Sequence, residues 1–302
     1  MKHAFRSLAC GGLLVALPVA GQSYQSRFLE LFRNADVEGT EKLLKEWRAA
    51  DANDPELYVA YFNHYIKQSR SNVISLGTHP EGDEVLELRD PDSTKKEPVG
   101  YIYDDVHYDP DLLATAFAYI DTGIAKFPQR LDMRFGKTHM YGETEDYAHF
   151  TDEVVRTIEH GAATGYAWTW TNNEPVEDPK EYTLSGTQEY VHRLWETGDD
   201  SLTKDIVRIT EAVLKEVPDH VESLSTRAAI HIMNAEYGPA LDLLLRAEKL
   251  APEDAIVTSN IAETYKRQGD KGKAIKYYGR TVELGDEETK TFARKQLEEL
   301  RK

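Results

Sequence analysis

The chain has 302 residues, with 53 acidic and 36 basic side chains, a formal charge of −17 and a hydrophobic content of 40%. That is enough apolar material for one long core or two modest ones. The acidic balance excludes a general nucleic-acid binder, which needs a basic footprint, and opposes docking on an anionic membrane surface. Its simplest consequence is solubility.

The first 21 residues read as a secretory leader. Lys2 and Arg6 supply a positive start, Leu13 to Ala20 is a short apolar run, and Val19-Ala20-Gly21 offers small residues for cleavage before Gln22. The run is too short to span a bilayer, and nothing later is long and apolar enough to do so. Cleavage would remove the only cysteine, Cys10, and two positive charges, taking the net charge from −17 to −19. An exported chain without disulfides fits a bacterial envelope, with the protein periplasmic or secreted.

From residue 22 to 70 the pattern is helical. Leu43 to Phe62 has the layout helix, Asp-Pro break, helix. Residues 71–109 interrupt it. Val73–Leu76 and Glu84–Leu88 are strand-like runs around a Pro-Glu-Gly turn and predict a β-hairpin. Helical patterns return over 110–165, at Leu112–Phe127, Arg130–Tyr141 and Tyr147–His160. A second irregular segment, 166–184, is polar and carries two prolines with Trp168 and Trp170. Ser185–Thr197 and Leu202–Val217 then open a C-terminal helical region that runs to residue 302.

That region repeats. Pro218 and Pro252 lie 34 residues apart, and in this register Ala228 aligns with Ala262, Ala240 with Ala274, Leu244 with Tyr278 and Leu250 with Leu284. Each unit is two short amphipathic helices. In the second, Gly269 can take the left-handed conformation that ends a helix, and Asp270 can cap the next. Thr289–Leu300 reads as a closing helix, with Phe292, Leu297 and Leu300 inward. The period and the small residues at helix contacts resemble the tetratricopeptide repeat (TPR). The resemblance is specific over Pro218–Gly285 and extends more weakly to 23–70 and 110–165. It implies an all-α fold, a right-handed α-solenoid of TPR-like helix hairpins carrying the two inserts.

Catalytic signatures are sparse: there is no HExxH, GxSxG or EF-hand loop, and no cofactor is expected. The best metal candidates are Asp104, Asp105, His107 and Asp109, with Asp111 close by. Their spacing matches no known metal loop, and Asp109-Pro110 reads more simply as a helix start, so a metal is not expected. Trp168 and Trp170 alternate as on a strand and would point the same way; burial is favoured over sugar or peptide stacking. On the TPR resemblance, the groove would be lined around Ser225, Ala229, Ile232, Asn260, Glu263 and Arg267. Some members of that family hold a peptide carboxylate with a clamp of Lys, Asn and Arg. Asn260, Lys290 and Arg294 fall at three of its positions, while Ser225 and Ala229 replace the first two.

The expectation is a non-catalytic, exported protein- or peptide-binding scaffold of the cell envelope. The alternative is a small-molecule, glycan or metal binder, up to a metal-assisted hydrolase, with a pocket built by the two inserts together. A third reading makes the chain a purely structural holder of a larger complex.

Overall fold

The computed structural model describes residues 23–79, 85–89 and 97–302; the leader at 1–21 and the turn at 80–82 lie outside them. Helices dominate and come in antiparallel pairs. These are α1 (Tyr24–Arg33) with α2 (Val37–Ala50), α3 (Pro55–Ser69) with α4 (Pro110–Lys126), and α5 (Leu131–Glu143) with α6 (Tyr147–Ala163). Then follow α7 (Pro179–Glu196) with α8 (Thr203–Glu216), α9 (Val221–Met233) with α10 (Tyr237–Leu250), and α11 (Ala255–Gln268) with α12 (Lys271–Leu284). A single helix, α13 (Glu287–Arg301), closes the array against α12. The fold is an all-α, TPR-like solenoid.

The register read from the sequence is the packing register for three of its four aligned pairs; Leu250 and Leu284, the fourth, are exposed, as is Phe292, which was expected to face inward. Ala228, Ala262, Ala240, Ala274, Leu244 and Tyr278 all have no exposed surface. Alanine at these positions lets paired helices approach, and the neighbouring hairpin covers what one hairpin leaves open. Gly269 ends α11 at φ +87°, and the Asp270 carboxylate accepts the Lys273 N–H at 3.0 Å. The same turn recurs without glycine at Ala35, Glu145 and Ala235, each at φ between 54° and 58°. In all four turns the next backbone N–H reaches back to a carbonyl five residues earlier: Asp36 to Leu31, Asp146 to Tyr141, Glu236 to His231 and Asp270 to Tyr265. Aspartates cap seven helices, at Asp36, Asp54, Asp109, Asp146, Asp254, Asp270 and Asp286, each side chain accepting a first-turn N–H.

The pair α3/α4 lacks this turn. Three strands replace it: β1 (Arg70–Gly77), β2 (Val85–Leu88) and β3 (Gly100–Tyr108), in the order β1-β3-β2. The predicted hairpin between the first two runs is therefore corrected. Both pair antiparallel with β3, which lies between them, Arg70 opposite Tyr108 and Val85 opposite Tyr103. The physical reason lies in the helices. β1 continues α3 and β3 leads into α4, so the antiparallel pairing of the helices carries straight on into the strands, and the Asp109 N–H donates to the Ser69 carbonyl at 2.9 Å where they join. The second insert is shorter than expected, because α7 begins at Pro179 rather than near Ser185; proline suits a first helical turn. Among the described residues no helix is long and apolar enough to cross a membrane.

Candidate functional site

Helices α9, α11 and α13 lie side by side, and their shared face is where the predicted groove residues fall. Ala229 and Asn260 are half-buried and Arg267 and Arg294 are exposed, whereas Ser225 and Ile232 are buried. Glu263 is engaged within the fold: its carboxylate accepts the Tyr278 hydroxyl and the Arg267 Nε–H, both at 2.7 Å. Burial opposes its ionisation, but Tyr278 and Arg267 outweigh that and hold the carboxyl below its usual range. Lys290 and Arg294 both lie near Glu287 on their own helix, at 3.6 and 4.0 Å. Of the clamp-like residues, Arg294 is thus exposed, while Asn260 and Lys290 are half-buried, Lys290 beside a carboxylate.

The acidic candidates for a metal do not converge. They lie on or just beyond β3, a strand rather than a loop, so Asp104 and Asp105 point to opposite faces of the sheet. Asp105 accepts from the Ser75 hydroxyl at 3.2 Å, His107 is exposed, and Asp109 caps α4. Among the described residues no three His, Cys, Asp or Glu side chains are placed to hold a metal.

Trp168 is 2% exposed and packs with Leu131 and Tyr166, with the Arg134 guanidinium 5.7 Å from its ring and the His160 ring 5.3 Å away. Trp170 packs against the same cluster, edge-on to Phe135 and Tyr182. The segment makes only isolated bridges, Thr169 with Arg130 and with Pro175, rather than a strand. What fastens it is a buried ion group. Arg130 is 1% exposed, donates twice to Asp132 at 2.7 and 2.8 Å, and lies 2.8 Å from Glu56 Oε1. The same Glu56 oxygen accepts the Asn172 backbone N–H at 2.8 Å. A second buried group joins Glu153 to Arg134 and Lys137 at 3.2 and 3.1 Å.

These contacts separate the inserts. The second is held at Glu56, in the first turn of α3, and the sheet springs from the last residue of the same 15-residue helix. At 1.5 Å per residue the two anchor points stand about 20 Å apart. The sheet borders a cleft with the α5–α6 turn at Glu143–Glu145, while the second insert borders another with the loops before α9 and α11. Among the described residues the two inserts thus border separate clefts and do not form the joint pocket of the alternative reading.

The structure also assembles a site the sequence reading missed. A cleft of about 420 Å³ is lined by Glu41, Lys45 and Arg48 of α2, by Tyr61, His64 and Tyr65 of α3, and by Tyr119 of α4. The Tyr61 and Tyr119 rings stack with centroids 4.0 Å apart and planes 2° from parallel, and Tyr65 is parallel to both within 9°. The signal was the tyrosine spacing in Pro55–Ser69, where Tyr58, Tyr61 and Tyr65 recur at helical intervals; the partner Tyr119 lies across the first insert.

No protein-family model matches the sequence, and neither does any curated protein. Among solved structures, the chain is similar to PilW, a type IV pilus biogenesis factor, at 9% identity over 89% of this chain and 96% of that one, with a TM-score of 0.38. Yeast Tom70 is similar at 12% identity over 89% of this chain and 59% of that one, TM-score 0.34. The TPR2AB domain of yeast Sti1, solved as a pHSP90 complex, is similar at 10% identity over 92% of this chain and 95% of that one, TM-score 0.29.

Proposed function

We propose that the chain is a non-catalytic interaction scaffold, exported to the cell envelope, that binds a protein or peptide along the shared face of α9, α11 and α13. The observation that carries this reading is the side-by-side packing of those three helices, with Arg267 and Arg294 exposed and Asn260 half-buried above a core closed by Ala228, Ala262 and Ala293. Such a face is preformed, so a partner meets it with little ordering cost on this side. Its two surface guanidiniums suit acidic segments of a partner. Export rests on Lys2, Arg6 and the apolar run to Ala20.

The test is capture of partners from envelope extract with the wild-type chain and with an Arg267→Glu/Arg294→Glu variant. A partner enriched on the wild type and lost on the variant supports the reading; equal recovery on both rejects it. Sequencing the N-terminus of the protein recovered from cells tests export, with Gln22 the expected first residue.

A further inference from the structure

The tyrosine cleft lies between α2 and α4, over α3, apart from the α9–α11–α13 face. Its floor is buried: Tyr61 is 6% and His64 3% exposed, while Tyr65 and Tyr119 are half-open. The three ring separations, 4.0, 5.6 and 6.4 Å, form a triangle rather than a column. Tyr119 therefore lies over the pair Tyr61 and Tyr65 from the α4 side. Glu41, Lys45 and Arg48 of α2 line the same cleft. Parallel rings offer flat surfaces for stacking, unlike the angled faces of a cage that encloses a cation.

The charges select further. Burial and neighbouring tyrosines raise the phenols of Tyr61 and Tyr65, and burial lowers His64, so all three are neutral near pH 7. What remains is one carboxylate against two cations, in a chain whose net charge is −17. Glu41 lies 3.9 Å from Lys45. Arg48 interacts instead with the Tyr61 hydroxyl, and among the described residues it has no carboxylate partner. His64 Nε2 is buried without a hydrogen-bond partner at the cleft floor. A volume of about 420 Å³ suits a single ring with a short polar attachment.

We infer that this cleft is a binding site for an aromatic ring bearing a carboxylate, the ring stacked on the half-open Tyr65 above the buried Tyr61 and the carboxylate on Arg48 with Lys45 beside it. A free aromatic acid and the aromatic carboxyl-terminal residue of a peptide share this chemistry.

Calorimetric titration of the full chain tests it with four probes: N-acetylphenylalanine, its amide, N-acetylalanine, and a five-residue peptide ending in phenylalanine with a free carboxylate. The aromatic acid should bind at least about tenfold more tightly than its amide, because a charge-assisted contact to Arg48 is lost in the amide. N-acetylalanine should bind at least as weakly as the amide. Lys45→Gln/Arg48→Gln, both at exposed positions, should remove the preference for acid over amide while leaving the helical circular dichroism unchanged. A peptide that binds more tightly than N-acetylphenylalanine identifies a chain terminus as the source, and equal or weaker binding identifies the free acid. Equal affinity for acid and amide, equal affinity for alanine and phenylalanine, a preference that survives the double substitution, or no binding of either aromatic acid overturns the inference.

Discussion

Removing the Glu56 carboxylate should loosen the second insert and destabilise the middle of the solenoid. Glu56 is 6% exposed, and one oxygen serves both the Arg130 guanidinium and the Asn172 N–H, each at 2.8 Å. Breaking a buried ion pair by deleting one partner costs about 3–5 kcal/mol. Arg130 keeps its two contacts to Asp132, which places the pair at the low end of that range, but the orphaned Asn172 N–H adds about 1 kcal/mol or more. Glu56→Ala should therefore cost about 3–4 kcal/mol. Glu56→Gln, which retains an acceptor for Asn172 but no charge, should cost roughly half as much. Urea unfolding followed by tryptophan fluorescence is the assay, since Trp168 and Trp170 sit in the fastened segment and report its release. Helical arrays can unfold piecewise, so circular dichroism must be followed in parallel. A loss below about 1 kcal/mol for Glu56→Ala, or equal losses for the two variants, would refute the reasoning.

Gly123 in α4 has no room for a side chain: an added Cβ would lie 2.9 Å from the Tyr58 Cβ and 3.0 Å from the Met133 sulfur. Gly123→Ala should lower stability by about 1–3 kcal/mol in chemical denaturation. Ala235→Gly should do the reverse, because Ala235 holds φ 58° where glycine is unstrained; relief of about 1–2 kcal/mol against an entropic cost of about 0.5–1 leaves a net gain near 0.5–1 kcal/mol, read as a higher melting temperature. The Glu263 carboxyl is held below its ordinary value of 4.5, so its contribution is present above that pH and disappears as pH falls through the lowered value. Glu263→Gln should flatten the acid limb of the stability curve below about pH 4.5 and leave its shape near pH 7 unchanged. His64 behaves in the opposite sense: burial lowers it from 6.5, the unfolded chain takes up the proton first, and stability declines as pH falls below 6.5 until the lowered value is reached. His160 and His220 are lowered by burial too, so His64→Phe should shrink the decline below pH 6.5 rather than remove it, measured by thermal unfolding in matched buffers.

The repeats were legible because their signals are local. Gly269 and Asp270 mark a turn within two residues, and a spacing of 34 between Pro218 and Pro252 sets the register of Ala228 on Ala262. Three other helix turns use the same hydrogen bonds but place Ala35, Glu145 and Ala235 in the left-handed position, so no glycine announced them. The order of the sheet was hidden for a different reason. Adjacent strand-like runs suggest a hairpin, yet the true partner of β1 is set by the direction in which α3 leaves and α4 returns. Burial of Arg130, Arg134, Lys137 and Glu153 was not visible at all, because a charged residue in a helical stretch reads as solvent-facing until its counter-charge is found on another element. The tyrosine cleft failed for the same cause: Tyr61 and Tyr65 could be read on one helix face, but Tyr119 and Arg48 join them only through packing.

The charge of the chain looks different once its aspartates are placed. Seven of them cap helices, each accepting first-turn N–H groups where the helix dipole favours a negative charge. These seven carboxylates, at just over half of the thirteen described α-helices, are thus part of the repeat architecture rather than of any partner surface. Against such a background the informative sites are those where positive charge gathers. Buried cations are answered internally, Arg130 by Glu56 and Asp132 and Lys137 by Asp121 and Glu153. At the surface, Arg48 beside the stacked tyrosines and Arg294 on the closing helix sit at the two ends of the solenoid, the first in a cleft shaped for a ring, the second on an open helical face. If the two proposed sites communicate, they do so through the intervening hairpins, where the buried ion groups around Arg130 and Glu153 lie.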